Sequence, residues 1–163
     1  MRCHSGRHTT KGGTSHEVKK DNIRDYAVEA FRYFSTLHCA PTKEAVRFAL
    51  QKHYLMQGGK NAARNLPEAD LKDLYAVVDT IDAIRTLENG AEILETLQNV
   101  YLTNPSTNIK RGEIENRILY TTFKTHISTA TAYRYLALCR RMFAEARGLR
   151  CAYTYQEEER RIV

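Results

Sequence analysis

The stretch "HISTATAYRYLALCRRMFAEARGLR", residues 126–150, decides how this chain is read. Ala132, Leu136, Cys139 and Phe143 recur at intervals of four, three and four, so one side is apolar at the helical period. Ser128 stands where an N-cap belongs, because its hydroxyl can accept an amide proton that a helix start leaves unpaired. Gly148 closes the run, since glycine takes the left-handed conformation of a helix end without steric cost. Thr129, Ala130, Tyr133 and Arg134 fall on the opposite side, near the start. A helix that only packs leaves such a side in solvent, its arginines hydrated, and basic helices of that kind are common. One that lies in a DNA major groove puts it to use, because such helices present their first turns to the base edges.

Outward from this helix the apolar period stays helical. Ile114, Ile118 and Leu119 mark the helix before it, and Ile93, Leu94, Leu97, Val100 and Tyr101 a shorter one earlier. Leu71, Leu74, Tyr75, Val78, Ile81 and Ile84 form a long stripe whose polar side holds Glu68, Asp70, Asp73, Asp79 and Asp82. Val46, Ala49, Leu50, His53 and Tyr54 give another, and Ile23, Tyr26, Ala27, Ala30, Phe31, Phe34 and Leu37 the first. Pro41 with Thr42, Gly58 with Gly59, Asn65 with Pro67, Gly90, and "TNPSTN" punctuate the chain between them. No period-2 strand and no internal repeat emerges. The fold class is all-α, a multi-helix protein.

Charge divides the chain. Residues 1–60 carry 11 Lys/Arg against 5 Asp/Glu, residues 61–107 carry 3 against 8, and residues 108–163 carry 11 against 6. The organisation expected is a flexible basic tail at 1–19, a helical hairpin at 20–60, an acidic helical middle at 61–107, a helix-turn-helix module at 108–150 and a charged tail at 151–163. Basic faces attract polyanions, and an acidic middle can equally hold the basic parts of one fold together. The acidic helix from Pro67 to Asn89 reads as core-packed with a solvated face; a dimer or RNA polymerase contact is its sharper alternative.

No apolar run reaches the ~20 residues that span a bilayer, and "MRCHSGRHTTKGGTSH" has no hydrophobic segment of the secretory kind. A soluble, cytoplasmic protein without membrane contact is expected. Its four cysteines lack paired spacing, so free thiols are expected in that compartment. Cys3, His4, His8 and His16 do not make the short paired spacing of a structural zinc site, and no metal or cofactor is expected. With no glycine-rich phosphate loop, HExxH pair or nucleophile signature, the chain does not read as an enzyme.

In the DNA reading, Thr129, Ala130, Tyr133 and Arg134 contact bases, Arg134 suiting guanine and Ala130 a thymine methyl. Lys110, Arg111, Lys124, His126, Ser128, Thr131, Arg140 and Arg141 meet the phosphate backbone. Tyr133 can also flank the core with its hydroxyl in water.

The order "RGEIENRI … ISTATAYRYLALCRRMFAEARGL" resembles the C-terminal helix-turn-helix of small phage-encoded transcriptional regulators of the ArpU and RinA type. That module is distantly similar to the promoter-binding region of sigma factors. The residues carrying the resemblance are Ile114, Ser128, Thr131, Tyr133, Arg134, Arg140 and Arg141, and it covers the last third of the chain well. "RDYAVEAFRYFSTLHCAPTKEA" resembles the opening helix pair of such proteins less distinctively. The resemblance implies sequence-specific binding to double-stranded DNA and control of late phage genes or host lysis functions. One departure stands out: Leu119 and Ser128 are separated by "YTTFKTHI", with no glycine for a tight turn. Either the bracing helix runs further or the turn is enlarged. Two rivals remain: a packaging small subunit of the terminase kind, which assembles into rings, and a helical module that binds an acidic protein. A homodimer would predict half-sites about one helical turn apart.

Overall fold

The protein is described by a computed structural model over residues 20–103, 110 and 112–149. These residues form six helices and no strand: α1 (Lys20–Thr36), α2 (Lys43–Arg64), α3 (Glu68–Arg85), α4 (Gly90–Val100), α5 (Glu113–Thr125) and α6 (Thr129–Arg147). None of them is long and apolar enough to cross a membrane. The tail histidines, Cys3, Cys151 and Arg111 lie outside the described residues.

Local chemistry sets the ends. Thr42 is extended at φ −128° and ψ 149°, and its hydroxyl accepts the Ala45 amide at 3.1 Å to start α2. The expected stop at Gly58 and Gly59 is instead a break inside α2. Gly59, at φ 80° and ψ −167°, turns the chain, and helix resumes through Arg64. Gly148, at φ 74°, ends α6 with the Leu149 amide bonded to the Ala144 carbonyl at 2.9 Å and its own to Glu145 at 3.1 Å. That pair of bonds satisfies carbonyls the helix end would otherwise leave unpaired.

α3 and α6 form the centre: α3 packs against α1, α2, α4 and α6, and α6 against α1, α3, α4 and α5. α2 lies at the edge, with α3 its main partner and a Tyr33–His53 edge-on ring contact to α1. One apolar cluster joins all six helices, through residues such as Phe31, Leu50, Leu74, Ile93, Ile118 and Phe143. The charge-defined segments therefore share a core. Each such side chain contributes ~1.5–3 kcal/mol on burial, so separating the segments would expose a large apolar area.

Being surrounded, α3 buries more than one stripe: Ala76, Val77 and Thr80 are inside along with Leu74, Val78, Ile81 and Ile84. Thr80 satisfies its hydroxyl by donating to the Ala76 carbonyl at 2.7 Å. The polar side of α3 is occupied too. Asp70 accepts from Tyr54 at 2.7 Å, and Asp73 accepts from Tyr26 at 2.5 Å and Arg147 at 2.6 Å. Asp79 pairs with Lys43 and Asp82 with Arg85, both at 3.2 Å, and Glu68 with Lys72 at 2.9 Å. Opposite charge does tie the parts of one fold together, most tightly where Arg147 at the end of α6 meets Asp73.

One stripe assignment changes. Leu119, expected to face inward on α5, is 56% exposed; the inner row is Ile114, Ile118 and Thr121.

Candidate nucleic-acid interface

α5 and α6 are joined by three residues, His126, Ile127 and Ser128. The bracing helix runs on through Thr125, which resolves the apparent excess length before Ser128. The tight turn forms without glycine because His126 takes the left-handed conformation, at φ 59° and ψ 24°. Histidine is among the side chains that tolerate that region. Ile127 turns inward against the core and fixes the angle at which the chain enters α6.

Ser128 caps α6 as its sequence position predicts. It is extended at φ −73° and ψ 154°, and its hydroxyl oxygen accepts the Thr131 amide at 3.1 Å. The same oxygen lies 2.9 Å from the Thr131 hydroxyl, so these two side chains serve the cap first. The amides of the first turn and the helix dipole leave this end partly positive.

Beyond the cap, Thr129, Ala130, Tyr133 and Arg134 are all exposed on the side opposite Ala132, Leu136, Cys139 and Phe143. Ala137 and Arg141 continue that face along the helix. The chain has no carboxylate between Glu115 and Glu145, a span that holds Arg117, Lys124, Arg134, Arg140 and Arg141. A polyanion meets no acidic side chain from that span.

The expected backbone-contacting residues part company here. His126 and Lys110 are exposed, and Arg141 is exposed farther along α6. Lys124 is half exposed and sits 3.5 Å from Glu95. Lys110 uses its backbone amide to bond Glu113 at 3.0 Å, leaving its side chain in solvent. Arg140 is half-buried, and its Nη1 donates to the Tyr101 hydroxyl at 2.7 Å. It braces α6 against the end of α4.

Arg140 belongs to a set of polar ties that fix α6. The Tyr135 hydroxyl donates to Glu92 and accepts from Asn89 at the start of α4, while Arg147 reaches Asp73 on α3. The bond to Glu92 pushes the Tyr135 phenol above its ordinary range. Burial does the same for the Tyr101 phenol and drives the Cys139 thiol up to about 12. Cys139 is a buried, protonated thiol and Cys39 another free one, also pushed up by burial.

Arg117 holds α5, and the sequence pattern gave no sign of it. Its guanidinium donates to the Val100 carbonyl at 2.8 Å, the Thr103 carbonyl at 3.3 Å and Glu113 at 2.6 Å. The bonds from the Lys110 amide and Arg117 hold the Glu113 carboxyl below the usual range. Among the described residues no group of His, Cys, Asp or Glu is arranged to hold a metal. The packed α4–α5–α6 unit thus presents the exposed start of α6 with cations on its rim. No family model, curated protein or solved structure matches this chain.

Proposed function

We propose that this protein binds duplex DNA in a sequence-dependent way and regulates transcription, as the phage regulators that its C-terminal third resembles do. In this reading the start of α6 enters the major groove. Arg134 addresses a guanine, Ala130 a thymine methyl, and Thr129 and Tyr133 neighbouring base edges. Lys110, Lys124, His126 and Arg141 meet phosphates on either side. Arg140, through Tyr101, acts as a positioning residue.

The observation that carries the reading is the exposure of Thr129, Ala130, Tyr133 and Arg134 at the start of a helix whose other side is locked into the core. The three-residue turn and the ties to α3 and α4 fix where that exposed face points. Fluorescence anisotropy with the DNA around its own gene and a shuffled control, across a salt series, tests it. The three lysine and arginine contacts give a log–log slope of about −2.7. Arg134→Ala should remove ~1–3 kcal/mol of base discrimination and leave most of that slope. Equal affinity of wild type and Arg134→Ala for all sequences would dismiss base reading. Sedimentation as a ring would favour the packaging assembly instead.

A further inference from the structure

α2 has an outer face that its packing does not explain. Val46 and Leu50 bury its inner side against the fold, as a one-sided amphipathic helix requires. Yet Phe48, 70% exposed, and Leu55 stand on the opposite side, and Met56, 80% exposed, stands out on the flank. A helix that is apolar on both sides is one with a second surface to bury against.

The face is concave. Gly59 turns the chain so that Lys60, Ala63 and Arg64 form a second wall facing Phe48, Gln51, Lys52 and Leu55. The groove between them holds about 550 Å³, room for a few bulky side chains. Its charge is one-sided: Lys52, Lys60 and Arg64 line it and no carboxylate does. None of the three forms an ion pair among the described residues. Lys43, Lys72, Arg85, Arg117, Lys124 and Arg147, by contrast, all have carboxylate partners.

We infer that this groove docks an acidic, amphipathic helical segment of a partner protein, its bulky apolar side chains between Phe48, Leu55 and Ala63 and its carboxylates on Lys52, Lys60 and Arg64. Charge selects this occupant. A second copy would set the six cations of the two grooves against each other. A DNA duplex keeps its bases stacked inside, so its phosphates would satisfy the cations and leave the phenyl and leucine uncovered. A lipid surface is flat and is not shaped to fill the space between two walls. From Phe48 to Leu55 the floor runs seven residues, ~10 Å at 1.5 Å per residue, so it takes about two turns of a helix. The inference stands apart from the DNA reading, because it concerns a different helix.

The test uses the full chain and a fluorescein-labelled helical peptide of leucine and glutamate, its leucines at i, i+3, i+4 and i+7. The same peptide with lysine for glutamate is the control. The glutamate peptide should bind saturably, weaken with salt, and weaken about tenfold or more in Phe48→Ser and in the Lys52→Glu, Lys60→Glu double variant. These residues are exposed, so circular dichroism should report an unchanged fold. No saturable binding, equal binding of the lysine peptide, or indifference to Phe48→Ser would each overturn the inference. So would capture on phosphatidylcholine–phosphatidylglycerol vesicles that depends on Phe48, which would make this a lipid face. Competition by a mixed-sequence DNA duplex at the same residues would make it a polyanion site and overturn it equally.

Discussion

Gly90→Ala puts the packing to a quantitative test. By helix propensity the change should help: Gly90 is the first residue of α4, its φ is not positive, and alanine is worth up to ~1 kcal/mol over glycine within a helix. Tertiary structure predicts the reverse. A Cβ at position 90 would lie 2.1 Å from the Ile84 carbonyl oxygen, 3.1 Å from its carbon and 3.4 Å from the Arg85 Cα. Carbon–oxygen contacts sit at ~3.3 Å or more, so α4 must retreat by about 1 Å. All three neighbours are backbone atoms, and no rotamer change relieves the contact. The Ile84 carbonyl is also held in place by the Leu87 amide, and the Gly90 amide bonds the Leu87 carbonyl, both at 3.0 Å. Retreat would also loosen Ile93 and Leu97, which are buried in the core. Overpacking of this kind costs ~1–3 kcal/mol, and backbone against backbone falls in the upper part of that range. The net expected is a loss of about 2 kcal/mol, or a fall in Tm of about 4–8 °C for a chain of this size. Thermal melts followed by circular dichroism, with calorimetry alongside, read it directly. An unchanged or higher Tm would refute the close approach of α4 to the end of α3.

Further outcomes follow from the ties around α6. Ser128→Ala should cost ~1 kcal/mol in urea unfolding by removing the cap, whereas Ser128→Asp should retain most of it; equal loss in both would refute the cap. Arg147→Ala should cost ~1.5–3 kcal/mol, because Asp73 loses a charged partner while Tyr26 remains; a loss below about 0.5 kcal/mol would place the pair with weak surface bridges. Stability should also fall on alkalinisation. The Cys139 thiol titrates at about 12 when folded against 9.0 when free, so the unfolded state gives up its proton first. The contribution is whole below pH 9 and is lost as pH rises towards 12. Denaturant midpoints across that window should decline less steeply in Cys139→Ala, and identical slopes would contradict the burial of the thiol.

The sequence by itself determined what depends on residues a few positions apart. Helical period, the Ser128 cap, the Gly148 stop and the exposed face of Thr129, Ala130, Tyr133 and Arg134 are set within one or two turns, and the structure places each of them there. All-helical character follows for the same reason. Ile118 and Leu119 mark the boundary of that legibility. Adjacent residues on a helix cannot face the same way, and only the position of α4 and α6 decides that Ile118 goes in and Leu119 out. Gly59 and Gly90 read as stops, yet one turns α2 back on itself and the other lets two helices touch.

Tertiary structure alone decided the rest. Arg140 reads as a phosphate contact, and only the fold shows that its Nη1 also reaches Tyr101; the acidic side of α3 looks solvated until Arg147, Lys43 and two tyrosines reach it. A charge is free or engaged according to what the fold brings within about 3 Å, across dozens of residues of chain, and no local period records that. The Lys52, Lys60 and Arg64 groove is the same lesson in reverse: these cations stay unpaired because α2 sits at the edge of the bundle, with no acidic neighbour folded against its outer side.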